Sequence, residues 1–162
     1  MRLRVIHPEE RGLEAELDRL YALDQSCFHP GIAYTRAELR TFLTHPSAFS
    51  VLLESAQDGG ELLGFSIART MRTRGRAALH IITIDVAERA RRHGVGTELM
   101  RWMAAKALEV RADLLRLEVA VDNEAALSFY RSLGFRPVER IPGYYLGSID
   151  ALVLEWTLTS RA

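Results

Sequence analysis

The apolar positions Leu3, Val5 and Ile6, set among Arg4 and His7, read as a short strand closed by Pro8. Leu13, Leu17, Leu20, Tyr21 and Asp24 then fall at helical spacing, which predicts a helix from about Glu9 to Ser26. His29-Pro30-Gly31 breaks it. Thr35 followed three residues later by Glu38 has the form of a capping box and opens a second helix to about Thr44. Ala48–Glu54 and Glu61–Met71 read as strands joined by the turn signal Gln57-Asp58-Gly59-Gly60. A second turn, Arg74-Gly75, leads into Ala78–Val86, whose isoleucines suit a central, buried strand. The period then changes. Val95, Leu99, Trp102, Met103 and Val110 lie at helical spacing between Gly94 and Val110, and Leu114–Val121 reads as a strand. Asp122 or Asn123 caps a further helix, which Gly134 ends. Val138–Arg140 and Ile149–Leu158 read as closing strands. The order β-α-α-β-β-β-α-β-α-β-β is an antiparallel meander feeding a β-α-β-α unit. It predicts an α/β (α+β) protein with a mixed, mostly antiparallel sheet of about seven strands and about four flanking helices.

Composition narrows this picture. At 162 residues the chain has the length of one domain, and no repeat or linker divides it, so a single domain over 1–162 is expected. With 48% hydrophobic residues and 21 basic against 21 acidic side chains, disorder is excluded. No apolar run approaches the roughly 18 residues of a membrane span, and the opening MRLRVIHPEE lacks the apolar centre of a secretory signal. The lone Cys27 excludes an internal disulfide and fits a reducing compartment; an apolar environment would make it inert packing. His7, His29, His45, His80 and His93 show no metal-ligand spacing. A soluble, cytoplasmic protein without a metal or a membrane partner is expected. The balanced charge hides a local surplus, because residues 69–92 carry seven arginines against Asp85 and Glu88. That surplus suits an anion such as phosphate, or simply a solvated face. A nucleic-acid surface would spread its basic residues further and add exposed aromatics, so no nucleic acid is expected.

The chemistry concentrates between Ile81 and Met100. A buried strand ends, a basic loop follows, and a helix opens at Gly94 and Gly96. Free N–H groups and the helix dipole at such a start attract anions, and glycine lets a phosphate approach the backbone. The same two glycines could instead only punctuate a strand-to-helix turn. A Walker loop is excluded because Thr97-Glu98 follows Gly96, and a dinucleotide fingerprint because Leu99 stands where its third glycine belongs.

What remains, Arg91-x-x-Gly94-x-Gly96 after a strand, resembles the acyl-CoA pyrophosphate loop of the GNAT N-acetyltransferase superfamily. The run from Leu117 to Phe135, with Asn123, Phe129-Tyr130 and Gly134-Phe135, resembles that superfamily's other signature. The resemblance covers about residues 78–136, and the element order extends it over the chain. It implies the GNAT fold, acetyl-CoA as cosubstrate, and direct attack by a primary amine in a ternary complex. For the cosubstrate it implies Ile84, Asp85 and Val86 at the strand end, where backbone N–H groups would steady an oxyanion. A carboxylate beside a phosphate loop is electrostatically unfavourable, so the Asp85 side chain is expected to face away. It further implies Arg91, Arg92, His93, Gly94, Val95, Gly96 and Thr97 in the loop, and Asn123, Ala126 and Tyr130 beyond.

A narrower resemblance is to N-terminal protein acetyltransferases, including the bacterial ribosomal-protein alanine type. Leu79-His-Ile-Ile-Thr-Ile84, Leu117-Glu-Val119, Gly143-Tyr-Tyr145 and Asp150-Ala151 carry it, with Phe28, Pro30 and Tyr34 as a substrate-side loop. His29 before Pro30 and the short segment after Tyr145 depart from that pattern. The acceptor it implies is a protein or peptide α-amine. A small-molecule amine, or a non-catalytic acyl-CoA-binding module, are the alternatives, and a homodimer stays open.

Asn123 and Tyr130 are seven residues apart and share a helix face. The resemblance gives Asn123 the pantetheine arm and Tyr130 the protonation of the departing thiolate; otherwise they are an N-cap and a core aromatic. Glu118, a lone acid in an apolar strand, is a candidate base or a solvent-facing carboxylate. His80 is the second candidate base or a core histidine. Phe28, Pro30, Tyr34, Ile82, Tyr144 and Tyr145 would wall the acceptor, although Tyr144-Tyr145 also reads as ordinary hairpin pairing.

Overall fold

The computed structural model describes residues 1–57 and 59–158, so Asp58 of the expected Gln57–Gly60 turn lies outside the described residues. Among the described residues the chain forms seven strands and four α-helices. They are β1 (Arg2–Ile6), α1 (Leu13–Cys27), α2 (Arg36–Thr44), β2 (Ala48–Glu54), β3 (Leu62–Thr73), β4 (Arg76–Val86), α3 (Val95–Glu109), β5 (Leu114–Ala120), α4 (Glu124–Leu133), β6 (Arg136–Tyr145) and β7 (Ile149–Thr157). The strands hydrogen-bond in the order β1-β2-β3-β4-β5-β7-β6. Among the described residues no helix is long and apolar enough to cross a membrane.

Two compact units share these elements. The first is built from Met1–Arg69 and Ile82–Met103. In it β2 pairs antiparallel with β1, Arg2 opposite Glu54, and with β3, Ala48 opposite Arg69. Leu17 and Leu20 of α1 and Leu39 and Leu43 of α2 bury against Ile6, Leu52, Phe65 and Ile67. Helix α1 starts at Leu13 rather than Glu9, because Gly12 turns the chain with φ of 81°. The capping box is present: Thr35 accepts from the Glu38 N–H while Glu38 accepts from the Thr35 N–H. Gly64 has no room for a side chain. A Cβ there would sit 2.7 Å from the Asp85 carbonyl oxygen and 2.9 Å from Val95 Cγ1.

The second unit is built from Thr70–Ile81 and the described residues from Ala104 onward. Strands β3 and β4 run past their expected ends and meet at Arg74-Gly75, whose φ values of 50° and 75° suit a tight two-residue turn. β5 lies parallel to β4, His80 opposite Arg116, and antiparallel to β7, Leu117 opposite Leu154. Leu114, Leu115, Leu117, Val153, Leu154 and Phe135 are buried here. Strand β6 is much longer than the Val138–Arg140 segment expected. It is an edge strand with mostly exposed residues, two prolines and two register shifts, so it carries no apolar alternation to read.

Candidate functional site

In the first unit, β4 turns Thr83 and Asp85 into the interior and leaves Ile82, Ile84 and Val86 half-buried. A single 3-10 turn, Glu88–Ala90, follows and hands the chain to the loop before α3. Arg92 and Gly94 take left-handed φ values of 64° and 82° there. A Cβ on Gly94 would meet nothing within 4 Å, so backbone conformation, and not space, favours glycine. At the start of α3 the Glu98 N–H donates to the Gly94 carbonyl at 3.0 Å. The N–H groups of Val95, Gly96 and Thr97 come before it and have no partner within the helix. Arg91, Arg92 and His93 are exposed alongside, with the Arg91 Nε–H donating to the Val86 carbonyl at 3.3 Å. Free amides, a helix dipole and two guanidiniums fit a phosphate group.

The loop after α1 belongs to the same unit. Phe28 ends the helix half-buried, and Pro30 is exposed. Tyr34 N–H donates to Asp24 Oδ2 at 2.7 Å, its hydroxyl donates to the Ile82 carbonyl at 3.3 Å, and its ring meets Phe42 edge-on at 4.9 Å. Tyr34 and Ile82, both expected on the acceptor side, are thus joined. Burial, followed by the nearby Asp85, pushes the Cys27 thiol up, against the opposing effect of Arg91. The thiol donates to the Val86 carbonyl at 3.5 Å. A protonated, half-buried thiol of this kind is a poor nucleophile.

In the second unit, His80 Nε2 and Glu118 Oε2 are 2.6 Å apart, each largely shielded from solvent. The two residues that compete as candidate bases in the sequence form one hydrogen-bonded pair. Pairing of β4 with β5 sets His80 opposite Arg116, and Glu118 lies two residues further along the same face. Burial and then the Glu118 charge raise the Tyr144 phenol; burial, then Tyr144 and Glu118, raise Tyr145 further. Their rings meet at 4.8 Å and 89°, so the aromatic pairing is real and stands within the field of Glu118. Asp150 fixes this end of the hairpin: its carboxylate accepts from Gly143 N–H at 2.9 Å and Arg140 Nε–H at 2.7 Å.

Asn123 caps α4, its Oδ1 accepting the Ala126 N–H at 3.2 Å, which leaves its amide hydrogens for another acceptor. Tyr130 is 8% exposed, its ring 5.4 Å from Phe129 and 5.7 Å from Phe135. The N-cap and core-aromatic readings are therefore true of both residues, and neither excludes a second role. Sequence reasoning missed Asp24. Its signal is an acid standing in an otherwise apolar helical period, and the structure leaves it fully buried.

A family model described as the acetyltransferase (GNAT) family matches residues 17–135. The chain belongs to the GNAT acetyltransferase family. Acetyl transfer is therefore its reaction class. The chain is 29% identical over 126 residues to an N-alpha-acetyltransferase of Sulfurisphaera tokodaii, covering 70% of this chain and 73% of that protein. It is 38% identical over 109 residues to N-alpha-acetyltransferase RimI of Mycobacterium tuberculosis, covering 62% and 66%. The crystal structure of Ard1 from Thermoplasma volcanium superposes with a TM-score of 0.81 at 25% identity, covering 98% of each chain. The mixed seven-stranded sheet expected from the sequence is the GNAT fold observed.

Proposed function

We propose that this GNAT chain, read as one acetyltransferase domain, moves the acetyl group of acetyl-CoA to the N-terminal α-amine of a protein or peptide. The observation that carries the reading is the His80–Glu118 pair at 2.6 Å beside Tyr144 and Tyr145. A shielded carboxylate bonded to an imidazole can take a proton from an ammonium, and aromatic faces attract that cation before it is discharged. The names of the Sulfurisphaera and Mycobacterium relatives support the α-amine as acceptor. A pocket for polyamines would call for several carboxylates, and among the described residues Glu118 is the one carboxylate whose charge bears on both phenols.

In this reading the loop amides of Val95, Gly96 and Thr97, with Arg91, Arg92 and His93, hold the pyrophosphate. Backbone N–H groups of Ile84–Val86 receive the carbonyl oxygen as it gains charge. Asn123, together with the first turn of α4 at Ala126, holds the pantetheine arm. The amine gives its proton to the His80–Glu118 pair, attacks the thioester carbonyl, and the C–S bond breaks as the Tyr130 hydroxyl protonates the sulfur. Phe28, Pro30, Tyr34, Ile82, Tyr144 and Tyr145 wall the acceptor. A cytoplasmic location is part of the reading, since it supplies acetyl-CoA and keeps Cys27 reduced.

Incubation with acetyl-CoA, a peptide library and a panel of small amines, read by mass spectrometry, tests it. Acetylation of free peptide N-termini, absent from peptides already blocked there, is the expected result. Acetylation of small amines alone would move the substrate class, and acetyl-CoA binding without CoA release in the presence of any amine would leave a binding module.

A further inference from the structure

Asp24 on α1 and Asp85 on β4 are 0% and 1% exposed, and their carboxyl groups lie within hydrogen-bonding reach of each other. Each has one satisfied oxygen. Asp24 Oδ2 accepts the Tyr34 N–H at 2.7 Å, and Asp85 Oδ1 accepts the Thr83 hydroxyl. Each also has one buried oxygen, Asp24 Oδ1 and Asp85 Oδ2, with no donor among the described residues. Two ionised carboxylates supply acceptors only, so this arrangement lacks a hydrogen. Among the described residues no guanidinium or ammonium acts on either carboxyl to make up for it. Two buried like charges in contact are prohibitively costly, whereas one carboxylic acid donating to one carboxylate satisfies both orphaned oxygens.

We infer that Asp24 and Asp85 share a single proton, and that this bond is a clasp holding the Phe28–Tyr34 loop to the end of β4. The proton sits on Asp85 and is donated to Asp24, which then accepts from two donors, Asp85 O–H and Tyr34 N–H. Tyr34 in turn donates its hydroxyl to the Ile82 carbonyl, so the loop is pinned to β4 at both ends of one residue. Asp24 and Asp85 are positioning residues. That the loop they hold is the acceptor wall rests on the function proposed above; the clasp itself does not.

The direction of the pH effect follows from burial. It raises both carboxyls, Asp85 well above its ordinary value; the Asp24 charge makes Asp85 harder still to ionise, while the hydrogen bond from Asp85 partly offsets the effect of burial on Asp24. The folded state therefore keeps a proton that the unfolded chain releases near pH ~4. Stability from the clasp is full below that point and is lost as pH rises through the folded value, when the proton leaves for solvent and two charges face each other. The other groups that bear on the pair do not rescue it. Glu38 from α2 adds negative charge at Asp24, the Cys27 thiol on α1 is itself held protonated, and Arg91 from the loop after β4 acts on that thiol.

Asparagine at either position donates from its amide without needing a titrating proton. Thermal unfolding of the full chain from about pH 6 to about pH 9 should show Asp85→Asn gaining on the wild type by about 3–6 °C as pH rises. Asp24→Asn should gain likewise, and carries the test alone if the first variant does not fold. Asp85→Ala, which leaves Asp24 without its donor, should lose stability across the range. Hydrogen exchange of a peptide spanning residues 28–34, corrected for the intrinsic rate, should speed up at alkaline pH in the wild type and not in the asparagine variants. Parallel unfolding curves for wild type and both asparagine variants would overturn the shared proton. Unchanged exchange in 28–34 would overturn the link to the loop. Neither readout involves catalysis, so a failed acetylation assay bears on the proposed function and not on the clasp. Where peptide acetylation is observed, the ratio of acceptor KM between wild type and Asp24→Asn should rise with pH while the ratio of kcat holds.

Discussion

Tyr130 is the residue at which packing and chemistry can be separated. Its ring is wedged between Phe129 and Phe135, so truncation to alanine would leave a cavity and confuse the two. Tyr130→Phe keeps the ring and removes one oxygen. With the hydroxyl as general acid, kcat should fall by about 10²–10⁴-fold at unchanged acetyl-CoA affinity. Activity within about threefold of the wild type would reject that role. Glu118 asks for a different experiment because it acts through a pair. Glu118→Gln keeps a hydrogen bond to His80 but removes the carboxylate charge. The kcat deficit should be largest near neutral pH and shrink at alkaline pH, where more of the acceptor amine arrives already deprotonated. A deficit that stays constant with pH would make Glu118 a group that only orients His80. The Tyr144 and Tyr145 phenols give a second readout, since loss of the Glu118 charge should lower both from their raised values in a spectrophotometric titration.

At the level of single elements, the glycine pair before α3 illustrates how a loop can be tested without breaking a helix. Gly94 has a left-handed backbone and Gly96 does not, being already in the first turn of α3. Gly96→Glu therefore replaces a poor helix former by a good one, at a position where an acid favours the dipole. The fold should survive while the anion site is repelled, and calorimetry should show CoA binding weakened by about tenfold or more. Unchanged affinity in a folded variant would remove the pyrophosphate assignment. The same elements show what a sequence can and cannot disclose. The Thr35–Glu38 capping box, the Gly134 stop and the Arg91–Gly96 loop are legible because each lies within a few neighbouring residues. The apolar period puts the start of α1 too early, at Glu9 rather than Leu13, since Gly12 interrupts no apolar position. It also leaves β6 too short, since an exposed edge strand has no buried face to write a pattern. In the sequence, His80 and Glu118 stand only as two alternatives: the residues are 38 apart, and the parallel register of β4 and β5 brings them together. Asp24 and Asp85 are unreadable as a pair for the same reason.

Across the whole molecule, charge is distributed so that acid and alkali attack stability at different places. Glu54 is 3% exposed at the end of β2 and receives Arg2, Arg4 and Arg19, while Arg4 and Arg19 also pair with the buried Glu16. Burial alone would raise the Glu54 carboxyl, but three guanidiniums override it and hold the group below its ordinary value. The linkage has the opposite sign to that of the Asp24–Asp85 pair. Stability from Glu54 is present above the unfolded carboxylate value of about 4.3 and is lost as pH falls through the depressed folded value. Glu54→Gln removes the charge and leaves three arginines facing each other around a neutral amide. Those arginines are partly exposed, so solvent screens much of the repulsion, and the cost is about 1–2 kcal/mol, or about 2–8 °C in Tm near neutral pH. As pH falls from about 5 to about 2.5 the wild type loses its own Glu54 charge, and the two unfolding curves should converge. A Tm gap that stays constant over that range would mean that the ion cluster contributes by packing of the arginine stems and not by charge. Raising salt distinguishes the same two causes from another side: a charge-based gap near neutral pH should narrow by molar sodium chloride, and a packing-based gap should not.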